Sequence, residues 1–316
     1  AGEYRREALN IARAIGDESL VARSLNRVGN WHVNLEEPLS GLPHHEEALT
    51  IFEHLGDRSG VAETVDLIAM TYHVAGAERA AASYYERSVF LFTQMDDRRG
   101  LANALGLLAL CGPSYQSCST TPFVSVVGQD ELRDLRSIRL AREIGWRAGE
   151  TFLRFVLADC MVGLGDYDRA IPLAQEALAQ TEELEHLQWK AGTLRILGAL
   201  SLDLLAPNVA REHLESAHRI AQRVGSRVWI RWTAAPLAVA RARTGSVPEA
   251  IEVLDRAARV AGTGATPGTM AGPGSAATLG ERHLWLARAE IAMLEDRPDT
   301  TLQIVDMVEA VRHHVR

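Results

Sequence analysis

Few side chains in this sequence stand at spacings that could carry chemistry. Lys190, in LQWKAG, is the only lysine. It lacks the Gly-x-x-x-x-Gly-Lys-Ser/Thr frame whose backbone amides cradle phosphates. His44-His45-Glu46-Glu47 and His313-His314 are the histidine clusters. Adjacent residues on a helix point about 100° apart, so neither pair shares a metal face, and both are expected on solvated polar faces. Cys160, beside Asp159 on an apolar stretch, is expected to be a small buried filler. The paired carboxylates Glu46-Glu47 and Glu182-Glu183 fall on exposed helix faces. There is no His-Glu-x-x-His and no Gly-x-Ser-x-Gly elbow. No catalytic residue, metal or cofactor is expected, which leaves recognition as the chemistry to look for.

The elements that would present a recognition surface are set by an internal repeat. Gly16 in IARAIGDESLVARSL has equivalents at Gly56, Asp96, Gly145, Glu185, Gly225 and Ala265, at steps of 40, 40, 49, 40, 40 and 40 residues. Thirteen residues after each of the first six markers sits a small residue: Gly29, Ala69, Ala109, Ala158, Gly198 and Ala238. An aliphatic residue always precedes it: Val28, Ile68, Leu108, Leu157, Leu197 and Leu237. Eight residues before each marker is a second small column: Ala8, Ala48, Ser88, Ser137, Ala177, Ala217 and Ala257. A fixed period of this length means stacked supersecondary units.

Each unit reads as two helices, A then B. Val61, Val65, Ile68, Ala69 and Tyr72 keep helical spacing in one, and Ala48, Ile51, Phe52 and Leu55 in the other. Two helices approach closely only where a Gly, Ala or Ser lies at the contact. The recurrent Gly-Asp ends helix B with a left-handed residue and caps the next helix. Helices B are predicted at 3–15, 43–55, 77–95, 130–144, 168–184, 208–224, 247–261 and 299–313. Helices A are predicted at 18–33, 59–74, 99–111, 148–163, 188–203, 228–243 and 280–293. The chain opens on a helix B without its helix A and without Met, so a piece of a longer protein is expected.

These columns resemble tetratricopeptide repeats over nearly the whole chain. The best copy is ADCMVGLGDYDRAIPLAQEAL, 158–178, and VGNW at 28–31 matches the family's Leu-Gly-x-x-Tyr element. The period departs from the usual ~34 residues, and the proline at unit ends is missing. Units of about 40 residues with Gly-Asp-Arg-x-Gly junctions look like the sensor arms of large bacterial signalling and transcription regulators. The resemblance implies an all-α, right-handed superhelix of about seven hairpins, with helices A lining a concave groove. Carried over column by column, it points to Arg23, Asn26, Asn30, Asp66, Met70, Phe155, Asp159, Arg195 and Trp232 as groove residues. Phe152 and Trp232 stand at groove offsets too, although a one-residue change of phase would move Phe152, Phe155 and Trp232 into the inter-unit core. Of Trp229 and Trp232, one is expected to face the core and the other the groove. Arg231 is expected at the surface.

Two segments interrupt the repeat. The insert at 111–130 carries Tyr115 and Phe123, and is either a binding loop or a tolerated surface insertion. Residues 262–279 have linker composition, dividing a main array (1–261) from a final hairpin (280–316). Net charge is −8 over 316 residues with both signs interspersed, which argues against a nucleic-acid surface. No stretch is long and apolar enough for a membrane span, no signal peptide is expected, and three cysteines suit a reducing compartment. The expectation is a cytoplasmic, non-catalytic domain. It would bind a peptide, an amphipathic helix or another protein, or restrain a neighbouring ATPase or output domain of the same polypeptide. A stand-alone adaptor scaffold is the alternative, and a small-molecule pocket a third reading.

Overall fold

The computed structural model describes residues 2–112, 135–259 and 278–312, with no strand among them. The helices are α1 (Gly2–Ile15), α2 (Glu18–Asn34), α3 (Pro38–Leu55), α4 (Arg58–Val74), α5 (Glu78–Gln94), α6 (Arg98–Leu110), α7 (Arg136–Glu143) and α8 (Arg147–Gly163). They continue as α9 (Tyr167–Glu183), α10 (Leu187–Asp203), α11 (Pro207–Val224), α12 (Arg227–Arg243), α13 (Val247–Arg259), α14 (Leu279–Leu294) and α15 (Pro298–Arg312). Most bounds fall within two residues of prediction. Helix α3 starts five residues early, because Pro38 takes the first helical position, where an N–H has no partner to lose. Tyr115, Phe123, His313 and His314, and nearly all of both interruptions, lie outside the described residues.

The repeated motif has a local cause at each position. Gly16, Gly56, Gly145 and Gly225 are left-handed, with φ of 78°, 67°, 68° and 72°. Asp96 and Glu185 hold the same geometry at 55° and 50°, so the turn survives where glycine is replaced, at a conformational cost. Asp17 accepts the Leu20 N–H, Asp57 that of Gly60, and Asp97 those of Arg99 and Gly100. Caps of this kind contribute about 1 kcal/mol each. The glycine three residues past the cap answers to packing instead. A Cβ on Gly60 would overlap the Phe52 ring, and one on Gly100 the Phe92 ring.

Every even-numbered helix up to α14 packs on the odd-numbered helix that follows it and on its even-numbered neighbours. The small columns stand at these contacts. Gly29 leaves room for the His45 ring and Gly198 for Leu214. Leu25, Phe52, Leu153, Leu214, Leu237 and Leu254 are fully buried between layers, each worth roughly 1.5–3 kcal/mol of transfer free energy. Helix α6 still pairs with α7 across the insert.

The stack curls until distant parts of the chain touch. Glu36, left-handed at φ 60°, follows α2 and is buried. Its carboxylate lies 3.1 Å from Arg231 Nη1 and accepts from Thr278 Oγ1 at 2.5 Å. Glu281 lies 3.3 Å from the same guanidinium. Beside them Arg227 Nη1 donates to Glu37 at 3.1 Å, and Arg282 Nη1 to the Gly76 carbonyl at 3.2 Å. Arg231, expected at the surface, is only 3% exposed. Its side of α12 faces the returning α2–α3 turn, a contact that no local pattern encodes.

Candidate ligand-binding cavity

The inner helices frame a half-open cavity of about 200 Å3. Asn30 and Asn34 of α2 reach it at one side, with Met70 and His73 of α4 and Leu110 of α6. Facing them are Phe152, Phe155 and Asp159 of α8, Arg195 of α10, and Trp229 and Trp232 of α12. All lining residues come from helices A, as the groove assignment requires. The wall is mostly apolar, and its aromatic rings brace one another. Phe152 meets Phe155 edge-on at 5.3 Å, Phe155 meets Trp229 at 6.4 Å, and Trp229 meets Trp232 edge-on at 5.3 Å. Both tryptophans therefore edge the cavity, where only one was expected. Trp229 can do so because it lies over Gly192, where a Cβ would come within 2.9 Å of its ring. The indole N–H of Trp232 is buried without a hydrogen-bond partner, an unmet donor in an apolar wall.

The predicted polar residues divide into two sets. Asn30, Asp159 and Arg195 reach the cavity, together with the apolar Met70, Phe155 and Trp232. Arg23, Asn26 and Asp66 do not line it. Arg23 is exposed and stands 3.8 Å from Asp57. Asn26 is buried; its amide donates to Thr64 Oγ1 at 2.7 Å, and its carbonyl oxygen meets His45 Nδ1 at 2.9 Å. Asp66 accepts from Asn103 at 3.0 Å and from Ser88 at 3.4 Å. Asp159 accepts from Arg195 Nη2 at 2.6 Å, both residues being buried.

These bonds share one geometry. Asn26–Thr64, Asp66–Asn103 and Asp159–Arg195 each tie an inner helix to the next, at separations of 38, 37 and 36 residues. Polar residues near the groove columns thus hold neighbouring units in register. A complementary polar partner slightly less than one period onward is the signal that would have revealed them. The expectation that His45 faces solvent is corrected for the same reason. It is fully buried over Gly29 as the far end of the Asn26 network.

Burial dominates the electrostatics. It pushes the Asp66 carboxyl up to about 7 against the hydrogen bonds from Ser88 and Asn103. It lowers the His45 imidazole to about 4, with His44 adding to the effect. Donor atoms of His73, Glu78 and Cys111 come within 4.8 Å of one another in a buried cluster. His73 Nδ1 already meets Glu78 at 3.1 Å, and that carboxylate holds the imidazole pKa up against burial. Burial and the same carboxylate push the Cys111 thiol well up. The group reads as a proton-sharing network beside the cavity rather than as an open ligand set. Cys160 is the predicted buried filler, its thiol donating to the Ala109 carbonyl at 3.4 Å.

No protein-family model and no curated protein matches the sequence. Solved structures do match the fold. A Rap protein complexed with Competence and Sporulation Factor superposes with a TM-score of 0.67 at 13% identity, over 94% of this chain and 75% of that one. NprR in complex with its cognate peptide NprX gives 0.59 at 10% identity, over 96% and 87%. A signal-transduction ATPase with a tetratricopeptide repeat sensor, from Pyrococcus horikoshii, gives 0.53 at 13% identity, over all of this chain and 47% of that one. The chain therefore has the tetratricopeptide-like helical repeat fold, an all-α solenoid. No described helix is long and apolar enough to cross a membrane.

Proposed function

We propose that this chain is a non-catalytic sensor domain that takes the apolar side chains of a short peptide segment into the cavity between its inner helices. The observation that carries this reading is the braced aromatic wall of Phe152, Phe155, Trp229 and Trp232, opposite the exposed amide of Asn30. Aromatic rings held by one another bind apolar groups with little loss of freedom. The Asn30 amide and the unmet Trp232 N–H can meet a peptide backbone. Solved proteins of the same fold carry peptides, Competence and Sporulation Factor in one and NprX in the other, which supports the same class of ligand here. The fold it shares with the sensor-bearing ATPase supports the further proposal that the domain serves as the cytoplasmic arm of a larger regulator. A stand-alone adaptor remains the second reading, and the coding frame on either side of this segment separates the two.

The test is selection of random heptapeptides on the wild-type chain, followed by titration against Trp232→Ala and Asn30→Ala. Selected peptides should share one large apolar residue and bind Trp232→Ala at least about tenfold more weakly, a loss of ~1.4 kcal/mol. The far-ultraviolet spectrum should stay unchanged, which shows that both variants still fold. Peptides that bind both forms equally would place the ligand elsewhere.

A further inference from the structure

The contact between the α2–α3 turn and the start of α12 and α14 differs from every other helix contact described above. Unit-to-unit contacts, apolar or polar as at Asp159–Arg195, join neighbours in sequence. This seam joins residues 190 to 242 apart, and side-chain charge is sealed inside it. Glu36 and Arg231 are buried at 8% and 3% exposure. Glu36 is held left-handed at a position where Gly76, Gly165 and Gly245 serve in three other units and Leu205 and Asp296 in two more. The Arg231 Nε is buried without a hydrogen bond. A buried ion pair of this kind adds little net stability, because desolvation offsets the attraction. A small polar contact within one chain behaves like a transient interface.

The seam also borders the cavity. Val33, Val74 and Val228 pack together across it, with Met70 and Trp232 against them, and all five line the cavity. In a solenoid each unit touches only its neighbours, so a small rotation at every junction adds up to a large displacement of the ends. An array that uncurls must part this seam, and parting it separates residues on two sides of the cavity.

We propose that this seam is a gate: the cavity takes up its ligand when the α2–α3 turn parts from α12 and α14, and an occupant touching both sides draws it shut. The proposal rests on the cavity being the binding site. It supplies what a sensor needs, a two-state element whose balance the ligand shifts by touching one state better than the other. Met70 and Asn30 on one side, and Trp232 and Val228 on the other, are the differential contacts. The readout is the curvature of the array.

Two variants open the gate by different means. Gly280→Val puts a side chain where Glu36 lies, since a Cβ at Gly280 would overlap its carboxylate. Arg231→Ala removes the central cation. Amide exchange is followed at residues 34–37 and 278–284, and the stopped-flow association rate is measured with the apolar dye 1-anilinonaphthalene-8-sulfonate. Both variants should exchange about tenfold faster or more at the seam, with α9–α11 unchanged, as for a local opening. Dye association should accelerate by a similar factor. Unchanged dye association in both variants, or unchanged seam exchange in both, overturns the gate alone. Dye binding that survives Trp232→Ala overturns the cavity reading and the gate with it.

Discussion

Arg195 on α10 donates through Nη2 to Asp159 on α8 at 2.6 Å, and both side chains are almost sealed from water at the edge of the cavity. The pair ties two inner helices and polarises an otherwise apolar wall. A buried charge stripped of its partner is far more costly than the intact pair is stabilising.

Removing one member of this pair should therefore be severe. Arg195→Ala should lower unfolding free energy by about 3–5 kcal/mol, and Arg195→Met with Asp159→Leu should restore most of it. Urea unfolding followed by helical circular dichroism measures both. A single variant that loses less than ~1 kcal/mol would mean that water reaches the pair.

His45 should make the chain sensitive to mild acid. Its folded pKa is lowered to about 4 by burial, while the unfolded imidazole titrates near ~6.5. Between those values the unfolded chain takes up a proton that the folded one refuses, so stability falls as pH drops from 6.5 to 4. His45→Gln keeps an amide donor toward Asn26 and should flatten part of that slope. His218, also lowered to about 4, should maintain the rest. An identical slope in the variant would remove His45 from the account.

Glu36 should act with the opposite sign. Burial pushes its carboxyl up to about 7 against Arg231 and Thr278, and Glu281 pushes the same way as burial. Arg227 and Glu37 are the adjoining charges. The closed seam therefore holds a proton that a solvated carboxyl gives up near 4.5, and closure weakens as pH rises from 4.5 through 7. Amide exchange at 278–284, corrected for intrinsic rates, should be faster at pH 8 than at pH 6. In Glu36→Gln that contrast should disappear.

Two glycines four residues apart should fail for different reasons. Gly56→Ala meets no neighbour but must hold φ 67°, costing about 1–2 kcal/mol. Gly60→Ala has an ordinary helical backbone but collides with Phe52, costing about 1–3 kcal/mol by overpacking. Phe52→Leu should relieve the second variant and not the first. Relief of both, or of neither, in thermal unfolding would reject this division of roles.

The fold was legible because its determinants recur. Three small or aliphatic columns and a left-handed junction residue mark the units, and the turn made at Gly16 and Gly56 returns at Asp96, Gly145, Glu185 and Gly225. Of the residues assigned to the groove, Asn30, Met70, Phe155, Asp159, Arg195 and Trp232 stand in the cavity wall. Asn26 and Asp66 misled because an inward-pointing polar residue looks alike whether it awaits a ligand or a neighbouring helix. Thr64 and Asn103 settle the matter, and they are brought alongside only by stacking.

By itself the sequence determined the helices, their caps and the layer each would occupy. Those follow from periodicity and from contacts within one or two units. Tertiary structure alone decided that Glu36 would meet Arg231 and Thr278, and that the groove would narrow to a half-open cavity. Curvature is the sum of small rotations at every junction, including the one lengthened by the insert. A sum over the whole array is not encoded at any residue, so the seam that closes it could be read only from the folded chain.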